Sequence, residues 1–471
     1  MTFFTEHVIF DVSARMERLP HYITLRILFF PVLVLAVSFL SAVLEAIREK
    51  KLNAEARAAV FGLPLAAVIL AAWIYAGRPF DGEDRIIAEA CRAYGTMNGV
   101  FTYMTSYSEM MAMMVFPSIY SPLVIKILLL GLAGGYGLSR LCGAFHSPVP
   151  VILYAAFLVP PSLRLSYTVH RLPMYGALYL VFAAKLLCDR IEHRKLDRRT
   201  VITLAFVVSM LTWWRSEGIY MLVLGPVSVL LAYRPLPGKK AAAVTAAAIL
   251  LAQAAAYVPK TYEAPLTIEN YGKHQITPFY NFAITGMLCN GLDREKYSEE
   301  LETVEEYLHI DFIDILNAIY GEHIYDEGYA TYHPDYKAAN PEATEETLSA
   351  YESAVRSLII KNPWLFLKSQ FRAFGHISSH YDGLCASAVF GNLWVVLGVI
   401  VAFLVWAIFR KQAFCAVLAL CPLCHGMITT ILLPAAYFKY YYPEYLFAWL
   451  IAASAAAYCI GRIKNKAEST V

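Results

Sequence analysis

Apolar residues in this chain come in long blocks, and its charged residues fall almost wholly between the blocks. About eleven such runs, at 27–44, 58–77, 123–138, 149–163, 172–187, 201–214, 219–232, 241–258, 393–409, 413–433 and 445–460, approach the ~20 residues that carry a helix across a bilayer. Helix is the state they require. In hydrocarbon every backbone N–H and C=O must be satisfied within its own segment, and the runs lack the period-two pattern of a barrel strand. The expected fold is an all-α polytopic membrane protein with about eleven transmembrane helices.

Lys and Arg cluster in alternate short loops: Arg48, Lys50, Lys51 and Arg57; Arg140; Arg190, Arg194, Lys195, Arg198 and Arg199; Arg234, Lys239 and Lys240; Arg410 and Lys411; Arg462, Lys464 and Lys466. The positive-inside rule makes that face cytoplasmic. The opposite face receives 78–122, the turns at His170 and Arg215, the stretch 259–392, and the tyrosine-rich 437–442. The chain thus divides into an N-terminal bundle, 1–258, with a long first exterior loop at 78–122; a small, mainly helical exterior segment, 259–392; and C-terminal helices with a basic cytoplasmic tail, 393–471. Within the first loop, Met104, Met110, Met111, Met113 and Met114 suit a short amphipathic helix lying in the interface. In the later segment, 298–308 and 342–360 carry helical spacing.

Composition agrees with a lipid-facing chain: 58% of residues are hydrophobic and 16% charged, against roughly 45–50% and 25% in soluble domains. A net charge of +2 gives no case for nucleic acid as a partner. The nine cysteines lie mostly inside apolar runs and imply no disulfide framework. Cys421, Cys424 and His425 would suggest a metal on a soluble loop; at mid-span they read as helix packing, because hydrocarbon disfavours the thiolates a zinc site needs. No small-residue cleavage site follows the first apolar run, so insertion through uncleaved spans is expected.

Candidate chemistry lies where charge meets the lipid boundary. Directly after the second run come Asp81, Glu83 and Asp84. A carboxylate at the mouth of a helix bundle can take a proton from a hydroxyl or help hold a divalent cation, the one cofactor this cluster suggests. The same acids also fit as solvated caps of the preceding span. Cations recur on that face: His170 and Arg171, Arg215, His376 and His380, and Lys439. Arginine grips phosphate with a planar fork and lysine adds a compact charge, although each cation alone also fits contact with anionic lipid. Arg215 and Glu217 have only a few residues between two apolar runs, so both sit near membrane depth, as a functional pair or a structural one.

Four features together resemble the GT-C superfamily of integral membrane glycosyltransferases: Phe80-Asp81-Gly82-Glu83-Asp84 opening a long first exterior loop; the turn from Thr212 to Gly218 with its arginine; the helix-like 359–368; and Tyr437-Phe438-Lys439-Tyr440-Tyr441-Tyr442-Pro443 before the last span. The resemblance covers most of the chain. It implies inverting transfer of a sugar from a polyprenyl-phosphate donor to an exterior glycan, lipid or protein acceptor, at the exterior face of a bacterial cell membrane. It further implies Asp81 as catalytic base, with Glu83 or Asp84 as substitutes or metal ligands. Arg215, Arg171 and Lys439 would meet the donor phosphate, and His170, Glu217, His376, His380 and Tyr440 would contact sugar or acceptor. Two departures stand out: a glycine separates Asp81 from Glu83, and the 27–44 run is an addition to the usual layout. Two alternatives carry different chemistry. A glycan polymerase or ligase of the O-antigen type would rely on arginine and histidine of the later exterior loop, and a lipid or solute transporter or flippase would use broken helices such as those Pro160 and Pro422 could produce.

Overall fold

The computed structural model describes residues 10, 17–50, 52–77, 91–92, 96–97, 103–167, 171–233, 239–258, 265–266, 278–320, 340, 343–377, 392–432 and 438–468. Apart from a two-residue parallel bridge, Thr96–Met97 against Pro265–Leu266, its regular elements are helices. Helices α1 (Leu19–Arg48) and α2 (Ala54–Ala76) come first, then α3 (Tyr103–Val115) and α4 (Ser121–Phe145). A run of three short pieces, Val149–Tyr154, Ala155–Leu158 and Pro160–Ser166, leads to α5 (Arg171–Ile191), α6 (Arg198–Trp213), α7 (Met221–Tyr233) and α8 (Lys239–Tyr257). Five helices follow: α9 (Pro278–Cys289), α10 (Ser298–Glu305), α11 (Ile310–Tyr320), α12 (Glu345–Lys361) and α13 (Pro363–Ile377). The chain ends with α14 (Leu393–Phe409), α15 (Ala413–Leu432) and α16 (Tyr442–Glu468).

Six of the described helices are long and apolar enough to cross a membrane: α1, α2, α4, α5, α15 and the stretch Phe438–Arg462 that includes most of α16. The remaining apolar runs form shorter helices. The run at 149–163 is broken because Pro150, Pro160 and Pro161 remove amide donors that a continuous helix needs. Helix starts are fixed by side-chain caps: Asn53 accepts from the Ala56 amide at 2.8 Å, Asp197 from the Thr200 amide at 2.6 Å and Asn392 from the Trp394 amide at 2.8 Å.

Small residues decide the closest contact. A Cβ added at Gly62 would lie 2.6 Å from the Gly131 carbonyl, and one at Gly135 would lie 2.4 Å from the Ala58 carbonyl, so α2 and α4 pack backbone to backbone. Close van der Waals packing of this kind is one of the forces that join helices in lipid, where no hydrophobic drive between them exists. Helix α5 is the hub: 83% of its crossing window is buried, against 6% for α1, and it packs on α4, α6, α7 and α16. The methionine-rich α3 forms as expected, but Tyr107, Met110 and Met113 on it are fully buried, packed with Leu25 and Phe29 of α1. Helices α9 to α13 share a separate core built on Ile284, Val304, Tyr307, Tyr351, Val355 and Leu358.

Polar side chains are gathered at two levels. Near the C-terminal end of α5, Arg140 meets Asp189 at 2.6 Å and Glu192 at 3.2 Å, Lys185 meets Asp189 at 3.1 Å, and Arg199 reaches Glu55 at 2.7 Å. This is the end that carries the arginine-rich short loops. Arg171 opens the other end of α5, about 27 Å away at ~1.5 Å per residue. That separation is close to the ~30 Å hydrocarbon thickness.

Candidate functional site

At the Arg171 end, α6 stops after Trp213 and the backbone of Arg215 is extended (φ −140°, ψ 150°). A tight 3-10 turn, Ser216–Tyr220, then leads into α7. Gly218 makes the turn possible: a Cβ there would lie 2.1 Å from the Leu211 carbonyl. Its amide donates to the Arg215 carbonyl at 3.0 Å. Three elements lock the turn in place. The Thr105 hydroxyl of α3 donates to the Trp214 carbonyl at 3.1 Å, and the Trp214 indole donates to the Arg171 carbonyl at 2.9 Å. From α8, Gln253 Nε2 donates to Thr212 Oγ1 at 2.7 Å and to the Met221 carbonyl at 3.1 Å.

So held, Arg215 is only 2% exposed and Glu217 3%. The guanidinium donates from Nε to Glu217 Oε2 at 3.1 Å and from Nη2 to Glu217 Oε1. It also lies 5.3 Å from the centre of the Tyr440 ring, while the Lys439 ammonium lies 5.4 Å from the centre of the same ring. Two cations and an aromatic face thus meet beside a carboxylate in the interior of the helix bundle, where a charge needs a partner.

A second buried pair adjoins the first. His425 of α15 and Glu444 of α16 are both fully buried, with Nδ1 2.7 Å from Oε1. The His425 ring is 5.2 Å from the Tyr175 ring and 6.2 Å from the Tyr220 ring, and those two hydroxyls are 3.2 Å apart. Gly426 lets the carboxylate come close: a Cβ there would lie 3.1 Å from Glu444 Oε1. His425 and Glu217 are in electrostatic reach of each other, which joins the two pairs into one cluster. Three of its buried atoms have no hydrogen-bond partner among the described residues: Arg215 Nη1, His425 Nε2 and Glu444 Oε2.

Trp214 also lines a partly open groove of about 960 Å³. Its walls come from α1, α3, α6 and α8 among others, with Ile27, Met104, Met111, Phe206 and Ala256 on them; Thr24, Ser108 and Ser209 bring the hydroxyls. A long apolar chain fits such a lining, with the charged cluster next to the indole.

Of the residues nominated from sequence, the side chains of Arg215, Glu217, Lys439 and Tyr440 come together here, and Arg171 joins them through its main-chain carbonyl on the Trp214 indole. Asp81, Glu83, Asp84, His170 and His380 lie outside the described residues. His376 belongs to α13, and its side chain is likewise outside them. Cys421 packs as expected, 3.7 Å from the Ser228 hydroxyl. Among the described residues no three His, Cys, Asp or Glu side chains converge to hold a metal. Sequence reasoning passed over Glu444 and treated His425 only as part of the cysteine motif. The available signal was an ionisable group inside an apolar run for His425 and one directly ahead of the last run for Glu444, which in a membrane protein mark a site in their own right. No known protein family matches the chain, and no curated protein or solved structure is similar to it.

Proposed function

We propose that this is a membrane glycosyltransferase that moves a sugar from a polyprenyl-phosphate donor to an acceptor on the exterior face, with inversion. In this reading all the apolar runs, about eleven, are embedded in the bilayer, the arginine-rich end is cytoplasmic, and α9 to α13 form an exterior domain that completes the acceptor cleft. The observation that carries the reading is the position of Trp214, which lines an apolar groove while the next residue is the buried Arg215. An amphiphile with an apolar tail and an anionic head matches that juxtaposition. Arg215, Lys439 and Arg171 would hold the phosphate, three cations against the carboxylates of Glu217 and Glu444. Tyr440 would stack on the sugar. The first-loop acids, Asp81 foremost with Glu83 or Asp84, are the acceptor's base in the form the resemblance implies, or ligands of a divalent cation.

The test uses purified full-length protein in nanodiscs with labelled undecaprenyl-phosphate hexoses and pentoses. Sugar-dependent release of undecaprenyl phosphate by the wild type, and its loss in Arg215→Ala and Lys439→Ala with donor affinity weakened, is the expected result. No release with any sugar, with and without added Mg²⁺ or Mn²⁺, refutes transfer. The broken crossing between Val149 and Ser166, together with Pro226 and Pro422 inside α7 and α15, favours a second reading as a lipid transporter. Movement of an intact labelled lipid across a vesicle membrane without loss of its sugar would establish that function instead.

A further inference from the structure

We propose that His425 and Glu444 form the proton-accepting dyad of the site, with His425 as the base and Glu444 as its positioning residue. The inference rests on the transfer reaction above and moves its base from the first-loop acids to α15. The pair spans two helices, 19 residues apart in sequence, with Nδ1 2.7 Å from Oε1 and no exposure of either residue. A carboxylate oxygen only accepts, so beside an ionised Glu444 the ring hydrogen sits on Nδ1 and the lone pair on Nε2. That places an oriented base next to an orienting acid, the arrangement by which enzymes activate a hydroxyl.

Two features separate the dyad from a helix fastener. A histidine that only joins α15 to α16 has no reason to keep its second nitrogen unmet in a dry interior, yet Nε2 has no partner among the described residues, and neither does Glu444 Oε2. The surroundings, moreover, are those of the phosphate-binding cluster. The His425 ring faces Tyr175 from α5 and Tyr220 from the turn before α7, and among the described residues Tyr179, Glu217 and, from the turn before α16, Tyr441 are the other titratable groups whose charge reaches the dyad. Arg215 acts on Tyr175 and pairs with Glu217. Since Arg215 offsets Glu217, Glu444 is the carboxylate left to compensate an imidazolium.

The step balances. The acceptor O–H bond breaks and its proton passes to His425 Nε2, while the acceptor oxygen bonds to the anomeric carbon. The bond from that carbon to the phosphate oxygen breaks, and its electron pair leaves with the polyprenyl phosphate. The donor diester carries one negative charge and the released monoester two; the imidazolium makes up the difference, and Arg215 meets the new charge on the phosphate.

The experiment compares full-length wild type with His425→Gln, His425→Ala and Glu444→Gln in nanodiscs, using undecaprenyl-phosphate hexoses and pentoses and the release of undecaprenyl phosphate across pH. With kcat and the donor KM measured separately, His425→Gln is expected to lose at least about a hundredfold in kcat with little change in KM. Its pH profile loses the acid limb, Glu444→Gln displaces that limb to lower pH, and added imidazole restores part of the activity of His425→Ala. Unchanged kcat and pH profile in His425→Gln would overturn the dyad while leaving transfer intact. So would a loss in all three variants that follows their melting temperatures and ignores imidazole. Absence of release by the wild type overturns the transfer reaction, and the dyad's role with it.

Discussion

The two ends of the helix bundle both bury charge, and they do it differently. At the arginine-rich end Asp189 is saturated: Oδ1 accepts from Arg140, and Oδ2 accepts from Lys185 and from the Tyr233 hydroxyl. Lys185 also reaches the Thr200 hydroxyl at 3.3 Å, and within this cluster only Arg140 Nε is left without a partner among the described residues. At the Arg215 end, three atoms of the four principal side chains are left so. A buried polar atom without a hydrogen bond costs about 1–3 kcal/mol. A network that only sets helix register would not retain three of them. The first cluster therefore ties α4, α5 and α7 together, and the second has bonding capacity in reserve for something that enters.

The comparison breaks most readily at Asp189. Asp189→Ala leaves Lys185 buried without its carboxylate and Arg140 with Glu192 alone, and should cost about 3–5 kcal/mol. Thermal unfolding in detergent measures it. A melting temperature equal to that of the wild type would mean that the saturated cluster is not a clamp. The Arg215 end should respond the other way. Arg215→Ala is expected to lower the rate of transfer by about 10²–10³, on the scale of removing one donor that meets developing negative charge. The double variant Arg215→Ala with Glu217→Ala should regain stability relative to Arg215→Ala, because no lone charge remains, while transfer stays lost. Recovery of transfer in the double variant would make the pair structural.

How much of this was legible beforehand depended on how local each property is. Hydrophobic runs are local, so the helical membrane architecture could be read directly. Their length as helices was less secure: prolines broke the 149–163 run, and six described helices reach crossing length. Arg215 and Glu217 are two residues apart, and Lys439 adjoins Tyr440, so those members of the site lay in plain view. What brings Tyr440 to Arg215, or His425 to Glu444, is the packing of α15 and α16 around α5 and α7, which no spacing rule encodes. The close approach of α2 and α4 was also hidden, since it depends on three glycines and the alanines beside them lying on facing surfaces.

That glycine contact sharpens the comparison without touching the Arg215 cluster. Gly135→Val sets a branched side chain where even a Cβ would stand 2.4 Å from the Ala58 carbonyl. Prying α2 from α4 should cost about 1–3 kcal/mol. Transfer per folded molecule should be unchanged, because the Arg215 cluster draws none of its principal side chains from α2 or α4. A rate loss larger than the loss of folded protein would show that α2 and α4 position the site.

The smallest effect belongs to a cation–carboxylate pair of the same chemistry placed in water. On the separate helical core, Lys361 of α12 donates to Glu300 of α10, and that hydrogen bond holds the Glu300 carboxyl below its ordinary value. A depressed carboxyl contributes stability that is fully present above its unfolded value, roughly pH 4. That contribution is lost as pH falls through the lower folded value. Glu300→Gln should therefore flatten the decline in melting temperature on acidification and change nothing at neutral pH beyond a slight overall loss. Raising the salt concentration should erase the difference, since solvent and counter-ions screen an exposed pair. The membrane clusters, shielded from both, should keep their effects at any ionic strength. If Asp189→Ala proved as sensitive to salt as Glu300→Gln, water would have access to the arginine-rich cluster, and the contrast between its saturated bonding and the open capacity around Arg215 would lose its physical basis.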